Sequence, residues 1–213
     1  MKNNKKKYAL VIILILFIAF FSSQCMMTRT NTESKKTVAV ILPYTYNKEN
    51  SRILDAIRDY AYNNSIILDV WHEKSLSSNE LSSIIANEEQ NHAIGILLIY
   101  PENYLTQQEK HYDYNNVLAI TDTMQSSFSH HASFETSPSP SYPLPVSAWV
   151  IKKVHEGKTD CIYIKNTYKL GYESIQMLDT YSRNKHMKDI SIPCQKVNKA
   201  AIESGELDAL LTN

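Results

Sequence analysis

The sequence predicts an α/β protein made of two doubly wound parallel-sheet lobes, of which the second is incomplete, preceded by one N-terminal hydrophobic helix. Short continuous apolar runs, typical of strands buried on both faces, recur along the chain after residue 36. Amphipathic segments of the length of a helical crossover separate these runs. A Pro- and Ser-rich stretch interrupts the alternation once, which indicates a passage from one lobe to the next.

The N-terminal 36 residues carry the signals of export. Four lysines among the first seven residues precede an unbroken apolar run from Tyr8 to Phe21, which is the layout of an export signal. Counted through Met27, the run reaches about the 20 residues that one membrane-crossing helix needs. We therefore predict that residues 1–27 are a signal peptide or membrane anchor and that residues 28–36 are a polar tether.

This layout predicts where the remainder of the chain lies. The lysines stay in the cytoplasm, so the chain after the apolar run is extracytoplasmic. It is held at the cell membrane by a single N-terminal span, or secreted if the signal is cleaved. Cys25 follows Ser-Ser-Gln, which is a poor lipidation sequence, and both its lipidation and the cleavage of the signal stay open.

Residues 37–122 are predicted to form the first α/β lobe. Apolar side chains at helical spacing around Ile53 and Ile57 predict a first helix, and Ser77-x-x-Glu80 is the capping box of a second one. The strands are expected at Val38–Leu42, Ile66–Trp71, Ile94–Tyr100 and Asn116–Thr121.

Residues 123–145 are predicted to be a Pro/Ser-rich crossover without a periodic apolar face, and residues 146–213 a partial second α/β lobe. A helix is expected to begin near Pro145, to bury Ala148, Trp149, Ile151 and Val154, and to stop at Gly157. The further elements expected in this lobe are a strand at 160–165, a helix at 171–185, a strand at 190–197, a short helix at 198–203 and a strand at 207–211.

Composition excludes several classes of protein. With four glycines in 213 residues, the chain has no phosphate-binding glycine loop. The formal net charge is zero, but residues 37–213 hold 15 basic and 21 acidic side chains, which argues against nucleic acid as a partner. No nucleophile elbow or metal-ligand spacing is present, and the adjacent His130 and His131 diverge on a strand. We therefore expect neither an enzyme nor a bound cofactor or metal.

Cys161 and Cys194 lie in two separate strand-like segments. Two buried free thiols are the expected arrangement, because free cysteine is commonly a core residue. Export also permits a disulfide, so their pairing stays open.

Several phrases resemble the type 1 periplasmic binding proteins, the sugar-binding fold shared with the effector domains of lactose-repressor-like regulators. The phrases are Lys36–Pro43, Ile57–Ala61 before the second strand, Ala93–Pro101, Val117–Asp122 and Leu207–Asn213. The resemblance covers about residues 36–213 and implies two lobes that enclose a small solute.

Three departures from the family pattern bear on ligand binding. Asn166–Tyr172 lacks the Arg-x-x-Gly-aromatic phrase that usually follows the first strand of the second lobe. The sequence ends at Asn213, where the family continues through a further acidic contact, so the second lobe resembles a truncated one. The crossover at 123–145 is also longer than usual.

The resemblance implies a ligand site in the loops at the carboxyl ends of the strands. Sugars are held there by aromatic faces and planar polar groups. The expected ligand-binding residues are Tyr44, Tyr46, Glu102, Asp122, Asn166 and Tyr168.

These observations predict a membrane-tethered extracytoplasmic binding protein for a solute, expected to be a sugar, that serves a transporter permease or a sensor kinase. The alternative is a truncated remnant or interaction protein of the same family that binds no solute. A flavodoxin-like exported domain acting on a cell-wall substrate is a weaker third interpretation. The identities of the ligand and partner, and whether the chain is a complete gene product, stay open.

Overall fold

The computed structural model describes residues 35–45, 47–106, 111–122, 126–137, 141–144 and 146–205. Its main feature is a six-stranded sheet in the order β2-β1-β3-β4-β5-β8, in which every neighbouring pair is parallel. The strands of this sheet are β1 (Lys36–Pro43), β2 (Ile66–Glu73), β3 (Ala93–Ile99), β4 (Val117–Ile120), β5 (His131–Phe134) and β8 (Ile190–Ile192).

Helices cover both faces of this sheet. Helices α1 (Lys48–Asn63) and α4 (Thr167–Asn184) pack together on one face, and α2 (Ser78–Gln90) packs on the other. The central strands are buried on both faces for this reason, and their sequences are continuous apolar runs. The predicted doubly wound α/β fold is confirmed for this part of the chain.

Local sequence explains where the first two helices begin. The side chain of Asn47 accepts a hydrogen bond from the backbone N–H of Asn50 and caps α1. The predicted capping box of α2 is present, with Ser77 and Glu80 each bonding the other's backbone N–H.

A smaller sheet has three strands among the described residues, in the order β6-β7-β9. They are β6 (Ser141–Pro143), β7 (Cys161–Lys165) and β9 (Gln195–Asn198). Helix α3 (Ala148–His155) and the short α5 (Lys199–Glu203) complete this part. The sheet is mixed and not parallel as predicted, because β7 runs parallel to β6 but antiparallel to β9.

Segments expected in the second lobe lie in both sheets. Helix α4 packs against α1 and against strands β3, β4, β5 and β8 of the large sheet. The strand expected at 190–197 is two strands, since β8 pairs with β5 of the large sheet and β9 with β7 of the small one. Pro193 lies between them, and its missing N–H favours a break in pairing.

The segment expected to be a Pro/Ser-rich crossover contains strands. Strand β5, with the sequence His-Ala-Ser-Phe, is a central strand of the large sheet and pairs with β4 and β8. Its Ala132, Ser133 and Phe134 are buried. A four-residue strand with the sequence His-Ala-Ser-Phe has no apolar periodicity, so the sequence pattern of the crossover does not reveal it.

Helix α3 turns a different face inward from the one expected. Val150 and Val154 are buried, whereas Ala148 is exposed and the side chain of Trp149 is 63% exposed. The Nζ of Lys153 lies 3.6 Å from the centre of the Trp149 ring, so the indole makes a cation–π contact and does not pack into the core. The inward face of α3 is the one that carries Val150 and Val154, four residues apart. The expected burial of Ala148 and Trp149 was therefore wrong.

Several predictions fall on residues that the structure does not describe. These are the signal or anchor, Cys25, the tether up to residue 34, Tyr46 and the strand at 207–211. Within the described ranges, no helix combines the length and apolarity that crossing a membrane requires.

Candidate functional site

The strand order of the large sheet places a crevice between β1 and β3. Strand β1 lies between β2 and β3, so the connections from β1 and from β3 leave in opposite directions along the sheet. In open parallel sheets, ligands bind at such a point, outside the carboxyl ends of the strands. The loops that follow β1, β3 and β4 meet at this edge.

A hydrogen bond joins two of these loops across the crevice. Tyr100 follows β3 directly, and its hydroxyl donates to Oε1 of Glu49 in the first turn of α1 at 2.8 Å. Tyr100 is buried, and its φ of 47° places its backbone in the left-handed region, which is strained for a residue with a side chain. Strain of this kind is typical of residues held in place at binding sites.

The loops after β3 and β4 are joined in a similar way. The backbone N–H of Asp122, just after β4, donates to Oε1 of Glu102 at 3.3 Å. Glu102 lies in a single 3₁₀ turn, Pro101–Asn103, that follows Tyr100. We call Glu49, Tyr100, Glu102 and Asp122 the carboxyl-edge cluster.

Electrostatic effects in the carboxyl-edge cluster both raise and lower the pKa of Glu49. Burial raises the pKa of Glu49 above its ordinary value, the hydrogen bond from Tyr100 opposes this rise, and the charge of Asp122 adds to it. The charge of Lys165, at the end of β7, lowers the pKa of Glu49 again. Lys165 also lies 5.5 Å above the Phe134 ring at the end of β5, so the small sheet contributes a cation to an edge where carboxylates predominate.

The carboxyl-edge cluster and Lys165 together offer several hydrogen-bonding groups to a ligand. Three carboxylates, which can accept hydrogen bonds, and one ammonium donor nearby can satisfy several hydroxyl groups of a small polar ligand. In the part of the chain that the structure describes, no group of three or more His, Cys, Asp or Glu side chains could hold a metal ion.

The structure brings together two of the six predicted ligand residues, Glu102 and Asp122. Tyr44 is 59% exposed just after β1, and the Nζ of Lys74 lies 4.5 Å from the centre of its ring. Tyr46 lies outside the described residues.

The other two predicted residues, Asn166 and Tyr168, lie together at the start of α4. Asn166 caps the helix by accepting from the N–H of Lys169 at 2.9 Å. The hydroxyl of Tyr168 donates to Asp59 on α1 at 2.8 Å. Both residues line a groove on the α1 and α4 pair together with Asp59.

Sequence reasoning missed Glu49, Tyr100 and Lys165. Tyr100 and Lys165 are the last residues of predicted strands, so position alone could have selected them, whereas Glu49 lies six residues beyond the end of β1. Tyr100 and Lys165 were assigned to the strands themselves, and Glu49 to the turn that precedes the first helix.

Cys161 and Cys194 are free and half-buried. The Sγ of Cys194 lies 3.4 Å from the carbonyl oxygen of Glu135, and burial raises the pKa of the thiol. A raised thiol pKa disfavours the reactive thiolate.

No protein-family model and no curated protein matches the sequence. Solved structures do match, at low identity. A carbohydrate transporter solute-binding protein from Agrobacterium radiobacter, in complex with D-arabinose, aligns with a TM-score of 0.52 and 9% identity, covering 84% of this chain and 99% of its own.

Two further structures have similar scores. A periplasmic ribose ABC transporter protein from Conexibacter woesei DSM 14684 aligns with a TM-score of 0.51 and 9% identity, over 84% of this chain and 98% of its own. The trehalose repressor from Escherichia coli aligns with a TM-score of 0.50 and 8% identity, over 77% of this chain and 100% of its own. The predicted resemblance is confirmed at the level of the fold: the chain has the α/β fold of type 1 periplasmic binding proteins and of the effector domains of LacI-family repressors.

Proposed function

We propose that this protein binds a small solute of the sugar class at the carboxyl-edge cluster. The observation that carries the proposal is the Tyr100–Glu49 hydrogen bond, which joins the loops on the two sides of the crevice between β1 and β3. Glu102 and Asp122 extend the same edge with further hydrogen-bond acceptors. Solutes bind at this position in open parallel sheets.

A neutral polyhydroxylated solute fits these groups better than an anion does. An anion would face three carboxylates and one lysine, and like charges at an interface are unfavourable. Hydroxyl groups can donate to the carboxylates and accept from Lys165. The neighbour solved with D-arabinose and the ribose transporter protein make pentoses the first sugars to test.

Binding would draw on both sheets. Lys165 belongs to the small sheet, whereas Glu49, in the first turn of α1, and Asp122, just after β4, belong to the part built on the large sheet. A solute that contacts both sets of groups favours the conformation in which they are close, because its contacts are lost when they separate. Such closure is the signal that a transporter permease or a sensor kinase would detect.

The predicted location and partners complete the proposal. The N-terminal segment holds the protein at the membrane with the binding edge outside the cytoplasm, where solutes arrive. The basic and apolar layout of the first 27 residues supports this location.

A thermal melt of the full-length chain with D-arabinose, D-ribose, D-glucose and trehalose tests the proposal. A ligand that binds only the folded state raises the melting temperature in proportion to its saturation. We expect one of these sugars to raise the melting temperature saturably. Asp122→Ala and Glu49→Gln should each lower the affinity for that sugar at least about tenfold, because each removes a charged hydrogen-bond acceptor.

Asp55→Asn is the matched control. Asp55 lies on α1, its carboxylate is 3.5 Å from the guanidinium of Arg58, and its side chain is 58% exposed. It should leave the sugar response unchanged. A melt that no sugar shifts would count against solute binding and would favour the non-binding alternative.

A further inference from the structure

A groove on the outside of the α1 and α4 pair has the features of a second binding site. Its volume is about 720 Å³, which is within the range of small-molecule pockets. Two tyrosines of α4, Tyr168 and Tyr172, line it together with polar side chains from both helices, including Asp59, Asn166 and Gln176. It shares no lining residue with the carboxyl-edge cluster.

The close approach of the two helices fixes this groove. Gly171 of α4 lies so near α1 that a Cβ added to it would meet the backbone oxygen of Ile53 at 2.5 Å. Only glycine permits this approach, so the helices are held at a fixed separation at that level. The larger side chains on either side of Gly171, among them Tyr168 and Tyr172, therefore project along the rim of the contact.

Both tyrosine rings are held in place before any ligand arrives. The hydroxyl of Tyr168 donates to Asp59 at 2.8 Å, and its ring stacks on Tyr172 with the centres 6.4 Å apart at 22°. Tyr172 also meets Tyr60 edge-on, with the centres 5.1 Å apart at 83°. Aromatic side chains fixed in this way lose little conformational entropy when they bind a partner.

Tyr60 is fixed in turn from the core side. Its hydroxyl donates to the buried carboxylate of Asp179 at 3.1 Å. Burial and the charge of Asp179 raise the pKa of Tyr60 to about 12, so the phenol stays a neutral donor. The aromatic wall of the groove is therefore supported through a chain of contacts that ends in the core.

The polar groups of the groove favour a neutral ligand with many hydroxyl groups. Lys169 and Glu173 neutralise one another as an i,i+4 pair at 3.6 Å. The carboxylate of Asp59 can still accept hydrogen bonds from a ligand. The planar amide of Gln176 is exposed and has no partner among the described residues. Aromatic faces beside a carboxylate and amides match the apolar face and the hydroxyl edge of a pyranose.

We propose that this groove is a second saccharide-binding site, which takes a pyranose unit of a β-linked glycan on the Tyr168 and Tyr172 wall. It is separate from the solute site at the carboxyl edge and does not depend on it. β-Linked glucose units present a flat apolar face with equatorial hydroxyls, so cellobiose and N,N′-diacetylchitobiose are the probes.

Calorimetric titration of the full-length chain with these two disaccharides tests the proposal. We expect saturable binding of at least one probe. Tyr172→Ala should weaken it by tenfold or more, because it removes a stacking face, and Gln176→Ala by about threefold through loss of one neutral hydrogen bond. Gln176 is exposed, so its replacement should not affect folding. If Tyr172→Ala lowers the folded fraction, the affinity of Gln176→Ala tests whether the disaccharide binds in this groove.

Two controls separate this site from the carboxyl edge. Tyr62→Ala removes an aromatic side chain that is 88% exposed on the same α1 helix, and it should leave the affinity unchanged. Asp122→Ala should also leave it unchanged, whatever it does to the pentose response. Absence of binding for both probes, or binding lost in Asp122→Ala but kept in Tyr172→Ala and Gln176→Ala, overturns the proposal.

Discussion

The two sheets of this protein differ in how much buried apolar surface supports them. Among the described residues, the large sheet has 22 buried residues in the cluster shared with α1 and α4 and 13 in the cluster that includes α2. The small sheet has one cluster of seven, shared with α3. Because burial of apolar surface is the main source of stability, we expect the large sheet to be the more stable one and the small sheet to open first.

This difference bears on function. Hinge closure around a solute, as proposed above, needs a rigid surface that presents ligand groups and a second surface that can move towards it. The carboxyl-edge cluster stands on the large sheet, and Lys165 reaches it from the small sheet. The part that we expect to move is therefore the part with the smaller core.

Truncating one core residue in each sheet should give the largest effect and test the comparison directly. Leu98, fully buried in β3, and Ile162, 2% exposed in β7, are the matched pair. We expect Leu98→Ala to lower the global free energy of unfolding by about 3 kcal/mol, because it leaves a cavity in the large sheet. Urea unfolding followed by circular dichroism measures this value.

Ile162→Ala should instead act locally. We expect hydrogen exchange to speed up in β6, β7 and β9, while the strands of the large sheet keep their protection. If both substitutions shift one common transition by the same amount, the two sheets unfold as a unit and the comparison fails.

A buried charge network sharpens the comparison, because it lies only on the side of the large sheet. Asp179 on α4 is 3% exposed at its side chain, and its oxygens lie 2.7 Å from Nζ of Lys36, 3.1 Å from the Tyr60 hydroxyl and 3.1 Å from Arg183. The Asp179 network joins Lys36, the first residue of β1, to α4. It therefore links elements of the large sheet on which the carboxyl-edge cluster stands.

Asp179→Asn should cost about 2 kcal/mol at pH 7, because it leaves Lys36 and the Tyr60 hydroxyl without their charged partner. This destabilisation is smaller than that expected for breaking a fully buried ion pair, because the side chains of Lys36 and Arg183 are 38% and 61% exposed. Arg183→Gln, which removes the most exposed partner, should cost less than about 1 kcal/mol.

The cost should depend on pH. Burial acts to raise the pKa of Asp179, but the hydrogen bond and charge of Lys36, with Tyr60 and Arg183, outweigh burial and hold the pKa below its ordinary value of 3.8. A depressed carboxyl pKa contributes stability that is present above the unfolded pKa and is lost as the pH falls through the folded one. The difference between the wild type and Asp179→Asn, measured by urea unfolding, should be constant above about pH 5 and shrink below about pH 4. A difference that grows on acidification would contradict the assignment.

The sequence predicted the large sheet well where burial imposes a pattern. Strands β1 and β3 are continuous apolar runs because helices cover both of their faces, and Ser77 and Glu80 marked the start of α2 through their side-chain chemistry. Strand β5 could not be predicted in this way, because its place depends on backbone pairing with β4 and β8. The assignment of α4 to one sheet or the other also depends on packing partners far away in sequence.

The candidate site was predictable only in part. Glu102 and Asp122 were found from their positions at strand ends, and the structure joins them. Asn166 and Tyr168 follow a strand end as well, but Tyr168 lies in the first turn of α4 and bonds Asp59, so the two line a separate groove. Which loops meet in space depends on strand order, and local sequence does not encode that order.

Hydrogen exchange of the full-length chain, with and without the sugar that most raises its melting temperature, tests the central claim most directly. Binding at the carboxyl edge predicts slower exchange in four segments after strand ends: residues 43–50, 100–103, 121–122 and 165–166. Slower exchange at 165–166 together with the other three would show that the small sheet closes on the ligand. Unchanged exchange in all four segments, with a melting temperature that still rises, would place the ligand elsewhere and contradict the account.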